Sequence, residues 1–317
     1  MTLPAHSTPL RNRLRCDMRL SGFCALLFWL VVSSSSFASL PADSAPLDPS
    51  LFDYDRDAPL DIRTLDTVTR DGAVLRDITF ADSRGKPVKA YVVRPASPTT
   101  HNLAGILYVH WLGNPSTTNR TEFLHEAVAL ADRGIVSVLI DAMWAQPQWY
   151  QNRVPEEDFD QSVSQIKTLR RALDLLLAER GIDRDRIAFV GHDFGAMYGA
   201  VMGAVDRRPS SYVLIAGTPH FADWFLFARQ PANPDAYRAQ LASLDPIHFV
   251  GQLTPAPVFF QFAANDDYVT PEAAAQFYAA ARPRKQSATY NARHDMQDAD
   301  AAADRIAWLL RTLSPTD

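Results

Sequence analysis

The stretch from Asp183 to Ala200, DRDRIAFVGHDFGAMYGA, decides how this chain is read. An apolar run, Ile187 to Val190, climbs into Gly191-His192-Asp193-Phe194-Gly195, and small residues of helical character follow. A strand, a tight turn and a helix put residue 193 at the carboxyl edge of a sheet, where open α/β sheets bind their ligands. The flanking glycines suit such a turn, because side chains there would clash with the neighbouring strand and helix. The start of the following helix favours negative charge and so stabilises either an oxyanion or a carboxylate. The pattern is that of a G-x-nucleophile-x-G turn in which serine is usual, yet its centre is Asp193.

Working outward from this turn, strand and helix patterns alternate. Residues 73–81 and 86–96 have period-two character around the turn DSRGK and predict an antiparallel hairpin. Continuous apolar runs at 104–111 and 135–142 predict buried parallel strands. Further strands are expected at 186–192, 211–217, 256–264 and 286–292. Amphipathic patterns predict helices over 121–134 and 157–180, the latter with Ile166, Leu169, Leu173, Leu176 and Leu177 on one face. Two more are expected around 271–282 and 298–313. The alternation implies an α/β class: a doubly wound, mostly parallel sheet of about eight strands in one domain over 70–317.

The N-terminus reads differently. RNRLRCDMRL at 11–20 carries four arginines, then SGFCALLFWLVV forms a short apolar core, and Ser36-Phe37-Ala38 makes a small-x-small site. These are the parts of a secretory signal peptide over residues 1–38, which implies export to the periplasm or the outside. The apolar run is short for a membrane span, so no stable insertion is expected after cleavage; an uncleaved anchor is the alternative. Both cysteines, Cys16 and Cys24, lie in this leader, so the mature chain is expected to have no disulfide and no thiol nucleophile. Residues 39–69, rich in Pro, Asp and Ser at their start, read as a linker or a strap over the domain surface. The net charge of −5 gives no electrostatic reason to expect nucleic acid. No spacing of His, Asp and Glu calls for a metal, and no cofactor motif is present. The sequence says nothing of oligomeric state.

Three features fall where the turn at Asp193 requires partners. Asp266 follows an apolar strand in FQFAANDDYVTPE, and His294 follows the last strand in YNARHDMQD. His110-Trp111-Leu112 ends the strand at 104–111, where the backbone N–H of Trp111 is expected to join that of Phe194 as an oxyanion hole. Plainer readings exist: Asp193 as a helix N-cap, Asp266 as a turn residue, His294 as a lone late histidine. His192, His220 and His248 read as structural or rim residues. Trp144, Trp149, Tyr150, Phe221, Trp224 and Phe225 serve either as pocket lining or as lid packing.

The order nucleophile, acid, histidine is that of α/β-hydrolases. IDRDRIAFVGHDFGAMYGA resembles the D-x-x-R-I-x-x-x-G-x-S-x-G-G stretch of dienelactone hydrolases and prolyl-oligopeptidase-like esterases, and NDDYVTPE resembles their acid loop. That resemblance covers about residues 70–315 and assigns the acid role to Asp266 over Asp267. It departs at Asp193, which replaces serine or cysteine, and at Ala196, which replaces the second elbow glycine. The GHD triplet is also similar to epoxide hydrolases and haloalkane dehalogenases, which use an aspartate nucleophile. Those have a tryptophan after the aspartate and a helical cap; here Phe194 follows, and 218–255 holds only 38 residues, enough for a small lid. The two resemblances imply different bonds. Family shape implies an ester or lactone, whereas carboxylate chemistry favours a carbon–halogen or epoxide bond, because attack there yields a stable ester rather than an anhydride. Both imply a small-molecule substrate and an Asp193–His294–Asp266 triad. The alternative is an inactive protein that binds a ligand or partner in the same pocket.

Overall fold

The computed structural model describes residues 47–97, 102–227 and 230–315; the expected signal peptide lies outside the described residues. Nine strands form a single sheet: β1 Arg63–Arg70, β2 Ala73–Ala81, β3 Pro87–Pro95, β4 Leu103–Val109, β5 Ile135–Ile140, β6 Ile182–His192, β7 Ser211–Ile215, β8 Val258–Ala263 and β9 Lys285–Tyr290. Their spatial order is β1-β2-β3-β5-β4-β6-β7-β8-β9. The pairs β1/β2, β2/β3 and β3/β5 are antiparallel, and every pairing from β5 to β9 is parallel. This is the mostly parallel sheet that the alternation of patterns implied. The continuous apolar runs are the central strands: every residue of β4, β5 and β7 is buried.

The sheet has one strand more than expected. All eight residues of β1 are exposed, so no buried face imposes an apolar alternation on Arg-Thr-Leu-Asp-Thr-Val-Thr-Arg. It lies in the part of the chain read as a linker, and it is held by backbone pairing to β2 alone. Ahead of β1, the chain is tied to the helix over residues 158–178 by two buried arginines. Arg170 donates to the carbonyl of Phe52, and Arg171 donates to those of Ala58 and Pro59.

The helices are α1 Leu124–Ala131, α2 Trp149–Asn152, α3 Asp158–Ala178, α4 Phe194–Val205, α5 Phe221–Phe225, α6 Pro234–Ala242, α7 Pro246–Phe249, α8 Pro271–Ala280 and α9 Ala299–Thr312. The leucine face of α3 is buried as its spacing requires, with Ile166, Leu169, Leu173 and Leu176 inaccessible. Helices α5 to α7 have only five, nine and four residues and make up the small lid; the described residues contain no large cap.

One buried polar cluster ties four elements together beneath the sheet edge. Arg305 of α9 donates through Nε and Nη2 to Glu126 of α1, at 2.9 and 2.7 Å, and through Nη1 to Gln261 of β8 at 2.8 Å. Tyr108 of β4 donates to the other oxygen of Glu126 at 3.0 Å. Removing one member of a buried ion pair leaves a charge without its partner, which costs far more than the pair contributes. Arg305→Ala is therefore expected to lower unfolding stability by about 3–5 kcal/mol, read as a shift in the denaturant midpoint. A loss under about 1 kcal/mol, typical of an exposed pair, would contradict this reading of the cluster.

Candidate active site

The site begins with the backbone at Asp193. Its φ is 55° and its ψ −117°, a left-handed conformation costly for a residue with a side chain. Neighbouring chain leaves no alternative. A Cβ on Gly191 would lie 2.3 Å from the carbonyl oxygen of Gly195, and one on Gly195 would lie 2.4 Å from that of Val109. The two glycines let β6 turn into α4 against the end of β4, and the turn pushes the Asp193 side chain above the sheet edge.

Asp193 is inaccessible to solvent, and it does not act as an N-cap: its side chain accepts no bond from the first turn of α4. Its Oδ2 instead accepts the backbone N–H of Leu112 at 3.0 Å. The donor is Leu112 and not Trp111, the residue to which the sequence points. The Trp111 N–H donates to Glu122 Oε2 at 2.9 Å, so the next peptide of the loop turns its N–H to the elbow. Phe194 is the first residue of α4, and its N–H has no carbonyl in its own helix to receive it.

His294 and Asp266 come to the same edge from the loops after β9 and β8. His294 Nδ1 lies 3.0 and 2.9 Å from the two oxygens of Asp266, and Nε2 lies 3.9 Å from Asp193 Oδ2. Residues 101 and 28 positions from His294 thus flank its ring on either side. The side chain of Asp266 is 2% exposed, whereas that of Asp267 is 65% exposed and pairs with Arg293. Asp266 also accepts the N–H groups of Tyr268 and Val269, each at 2.9 Å, so it holds the turn as well as the imidazole. Among the described residues, neither Asp193 Oδ1 nor His294 Nε2 has a hydrogen-bond partner, although both are buried.

Burial works to lower the pKa of His294, but the carboxylates of Asp193 and Asp266 on either side of its ring overcome it and push the pKa up to about 9. Burial works to raise that of Asp266, but the hydrogen bond and charge of His294, with the two N–H donors, hold it below the usual carboxylate range. His110, fully buried, is lowered because burial outweighs its hydrogen bond and the nearby carboxylates. Its Nε2 accepts the N–H of Ala142 at 3.1 Å, which fixes the neutral ring at the end of β4.

A cavity of about 510 Å³ opens above His294. Trp111, Trp144, Trp149, Trp224, Phe227 and Tyr268 supply most of its wall, and glutamines 146, 148 and 151 with Asn114 supply amides. Among the described residues it has no Lys, Arg, Asp or Glu on its wall. Of the six aromatics expected over the elbow, Trp144, Trp149, Tyr150 and Trp224 line this cavity. Phe221 and Phe225 are instead fully buried, packed on Phe194 at 6.5 and 5.3 Å between ring centroids. His220 binds Asp245 at 2.8 Å, and His248 is exposed. The sequence pattern does not assign roles to Leu112, Glu122, Phe227 and Tyr268, although Leu112 stands in His110-Trp111-Leu112 and Tyr268 two residues past the acid, both in stretches already singled out.

No protein-family model and no curated protein matches the chain. Solved structures do. Acetyl xylan esterase 1 from Thermoanaerobacterium sp. superposes with a TM-score of 0.67 at 14% identity, over 85% of this chain and 95% of its own. The acetyl xylan esterase from Paenibacillus sp. R4 gives 0.66 at 15%, over 83% and 90%. An assigned dienelactone hydrolase of Klebsiella pneumoniae gives 0.56 at 14%, over 77% and 99%. At such identities the likeness is one of architecture: together with the sheet order and the turn at Asp193, it shows that this chain has the α/β-hydrolase fold.

Proposed function

We propose that the protein is a hydrolase of small, uncharged, largely aromatic or apolar molecules, and that it cleaves a carbon–halogen or epoxide carbon–oxygen bond through an ester on Asp193. The observation that carries this reading is the hydrogen bond from Leu112 N–H to Asp193 Oδ2. In acyl transfer by a serine, such an N–H receives the substrate's carbonyl oxygen. Here the aspartate's own oxygen already occupies it. A carboxylate held this way has one oxygen fixed; the other, Oδ1, is buried with no hydrogen-bond partner among the described residues, and it is the oxygen to which the attack on an sp³ carbon is assigned. The fixed oxygen becomes the carbonyl oxygen of the resulting ester, already seated on the donor that will stabilise its oxyanion. The uncharged aromatic wall suits a neutral aryl or alkyl group.

In the first step, Asp193 Oδ1 forms a bond to carbon and the halide, or the epoxide oxygen, departs with the bonding pair. In the second, His294 Nε2 takes a proton from water, and hydroxide adds to the Asp193 carbonyl carbon. Leu112 N–H and Phe194 N–H hold the tetrahedral oxyanion. Collapse releases the alcohol, which takes the proton from the imidazolium, and restores the carboxylate. The sum is R–X plus water giving R–OH, H⁺ and X⁻, or an epoxide plus water giving a diol.

The raised pKa of His294 fits this order. Between two carboxylates the free enzyme holds an imidazolium at neutral pH, which is no base. Esterification removes the negative charge of Asp193, so the pKa of His294 falls and the ring gives up its proton. In an epoxide reaction the opened ring oxygen takes a proton from water, and the proton released by the imidazolium restores the balance. The base thus becomes competent only once there is an ester to hydrolyse.

The names of the fold neighbours favour a second reading, ester or lactone hydrolysis. The same assay separates the two: 1-bromo-3-phenylpropane and styrene oxide against phenyl acetate. With His294→Gln and the reacting substrate of the first pair, the intact protein mass is expected to rise by the alkyl or hydroxyalkyl group and stay raised, on the peptide containing Asp193. Asp193→Asn is expected to lose about 10³-fold or more in turnover. Turnover of phenyl acetate alone, with no adduct in His294→Gln, would favour the esterase reading; no turnover of any of the three by the wild type would contradict both.

A histidine whose pKa is raised on folding contributes stability that is fully present below its unfolded value near 6.5 and is lost as pH rises through its folded value of about 9. The melting temperature should therefore fall between about pH 7 and pH 10, and fall less in Asp193→Asn, which keeps the shape but lacks one of the two charges. NMR titration of the His294 ring should give a midpoint near 9 in the wild type and a lower one in the variant. A wild-type midpoint near 6.5 would contradict the imidazolium.

A further inference from the structure

We infer that Glu122 is a positioning residue that sets the oxyanion-hole loop and the histidine loop with a single carboxylate; this rests on the Asp193–His294–Asp266 reading above. Glu122 lies in the loop between β4 and α1 and touches none of the reacting groups. Its Oε2 accepts the N–H of Trp111 at 2.9 Å, which turns the next N–H, that of Leu112, onto Asp193 Oδ2. Its Oε1 lies 2.7 Å from His192 Nδ1, and His192 Nε2 lies 2.8 Å from the carbonyl oxygen of His294. His192 is itself the residue before Asp193 and is inaccessible to solvent. One path of three hydrogen bonds therefore joins the loop after β4, the end of β6 and the loop after β9.

The chemistry of the path makes it rigid. The carbonyl of His294 only accepts, so His192 Nε2 must carry hydrogen. Its Nδ1 faces a carboxylate oxygen, so a second hydrogen lies between them, on the ring or on Glu122. His192 thus joins Glu122 to the His294 carbonyl through both of its ring nitrogens, at 2.7 and 2.8 Å. The rings reinforce it: Trp111 stacks on His192 at 5.6 Å and 29° and meets His294 edge-on at 5.5 Å. A simple packing role would need none of these acceptors.

The consequence falls on one half of the reaction. Attack by Asp193 needs neither a proton acceptor nor a stabilised oxyanion, whereas hydrolysis of the ester needs both in register. Glu122→Leu, close in size, removes both accepting oxygens, so the Trp111 N–H and His192 Nδ1 both lose their partner. A displacement of about 1 Å at reacting groups costs on the order of 10²-fold.

The test is rapid-quench mass spectrometry of the full-length enzyme with the reacting halide or epoxide. Glu122→Leu is expected to esterify Asp193 at a rate within about threefold of wild type and to hydrolyse the ester about 10²-fold more slowly, so that the ester accumulates. A merely structural residue would lower the active fraction and leave the ratio of the two steps unchanged, and that result would overturn the proposal. His192→Gln cuts the path at its middle and is read in the same way if Glu122→Leu does not fold. A second readout needs no substrate: the His294 Nδ1–H proton should exchange with water about tenfold faster or more in either variant than in wild type. Unchanged exchange in both would overturn the positioning role even where the proposed reaction itself fails.

Discussion

Everything in this site depends on one hydrogen bond, from the backbone N–H of Leu112 to Oδ2 of Asp193. It decides which oxygen of the carboxylate is held and which is left to react. It exists because two close approaches coincide. The elbow is pressed against the end of β4 to a degree that only glycine at 195 permits, and the Trp111 peptide is turned away by Glu122. The backbone strain of a positive φ at Asp193, of order 1–3 kcal/mol, is offset by the sheet around it. The N–H of Asp193 is itself bound to Ile215 of β7, and its carbonyl accepts from Met197 of α4.

The buried charges explain why a serine-type elbow tolerates an aspartate. An isolated carboxylate at that depth would be driven to its neutral form. Here the N–H of Leu112 and the start of α4 face the Asp193 carboxyl group, and the His294 ring lies 3.9 Å from its Oδ2. On the proposed reaction, ester formation at Asp193 changes the charge facing His294, so the order of the two steps would be set by electrostatics rather than by any movement.

How much of this could be read from the chain depends on what each residue is asked to do. The parallel strands declared themselves because burial on both faces demands unbroken apolar runs, as in 104–109 and 187–190. The glycines at 191 and 195 signalled a close approach, and Asp266 and His294 were found by their positions after strands. β1 was invisible for the opposite reason: a strand exposed along its whole length has only backbone pairing to hold it, and backbone pairing leaves no mark on side-chain pattern. The N–H at the elbow was misassigned by one residue, since the direction of a peptide in a loop is set by its partner. That partner, Glu122, lies eleven residues on and looked like any charged residue before a helix.

The central claim is that the carboxylate of Asp193 forms the covalent bond, and isotope placement tests it most directly. In a single turnover in ¹⁸O-labelled water, with enzyme in excess, hydroxide attacks the ester at the Asp193 carbon and not at the substrate. The account predicts that the label enters the peptide containing Asp193 and that the first alcohol or diol carries none. Label found wholly in the product after that first turnover, with an unlabelled Asp193 peptide, would contradict it.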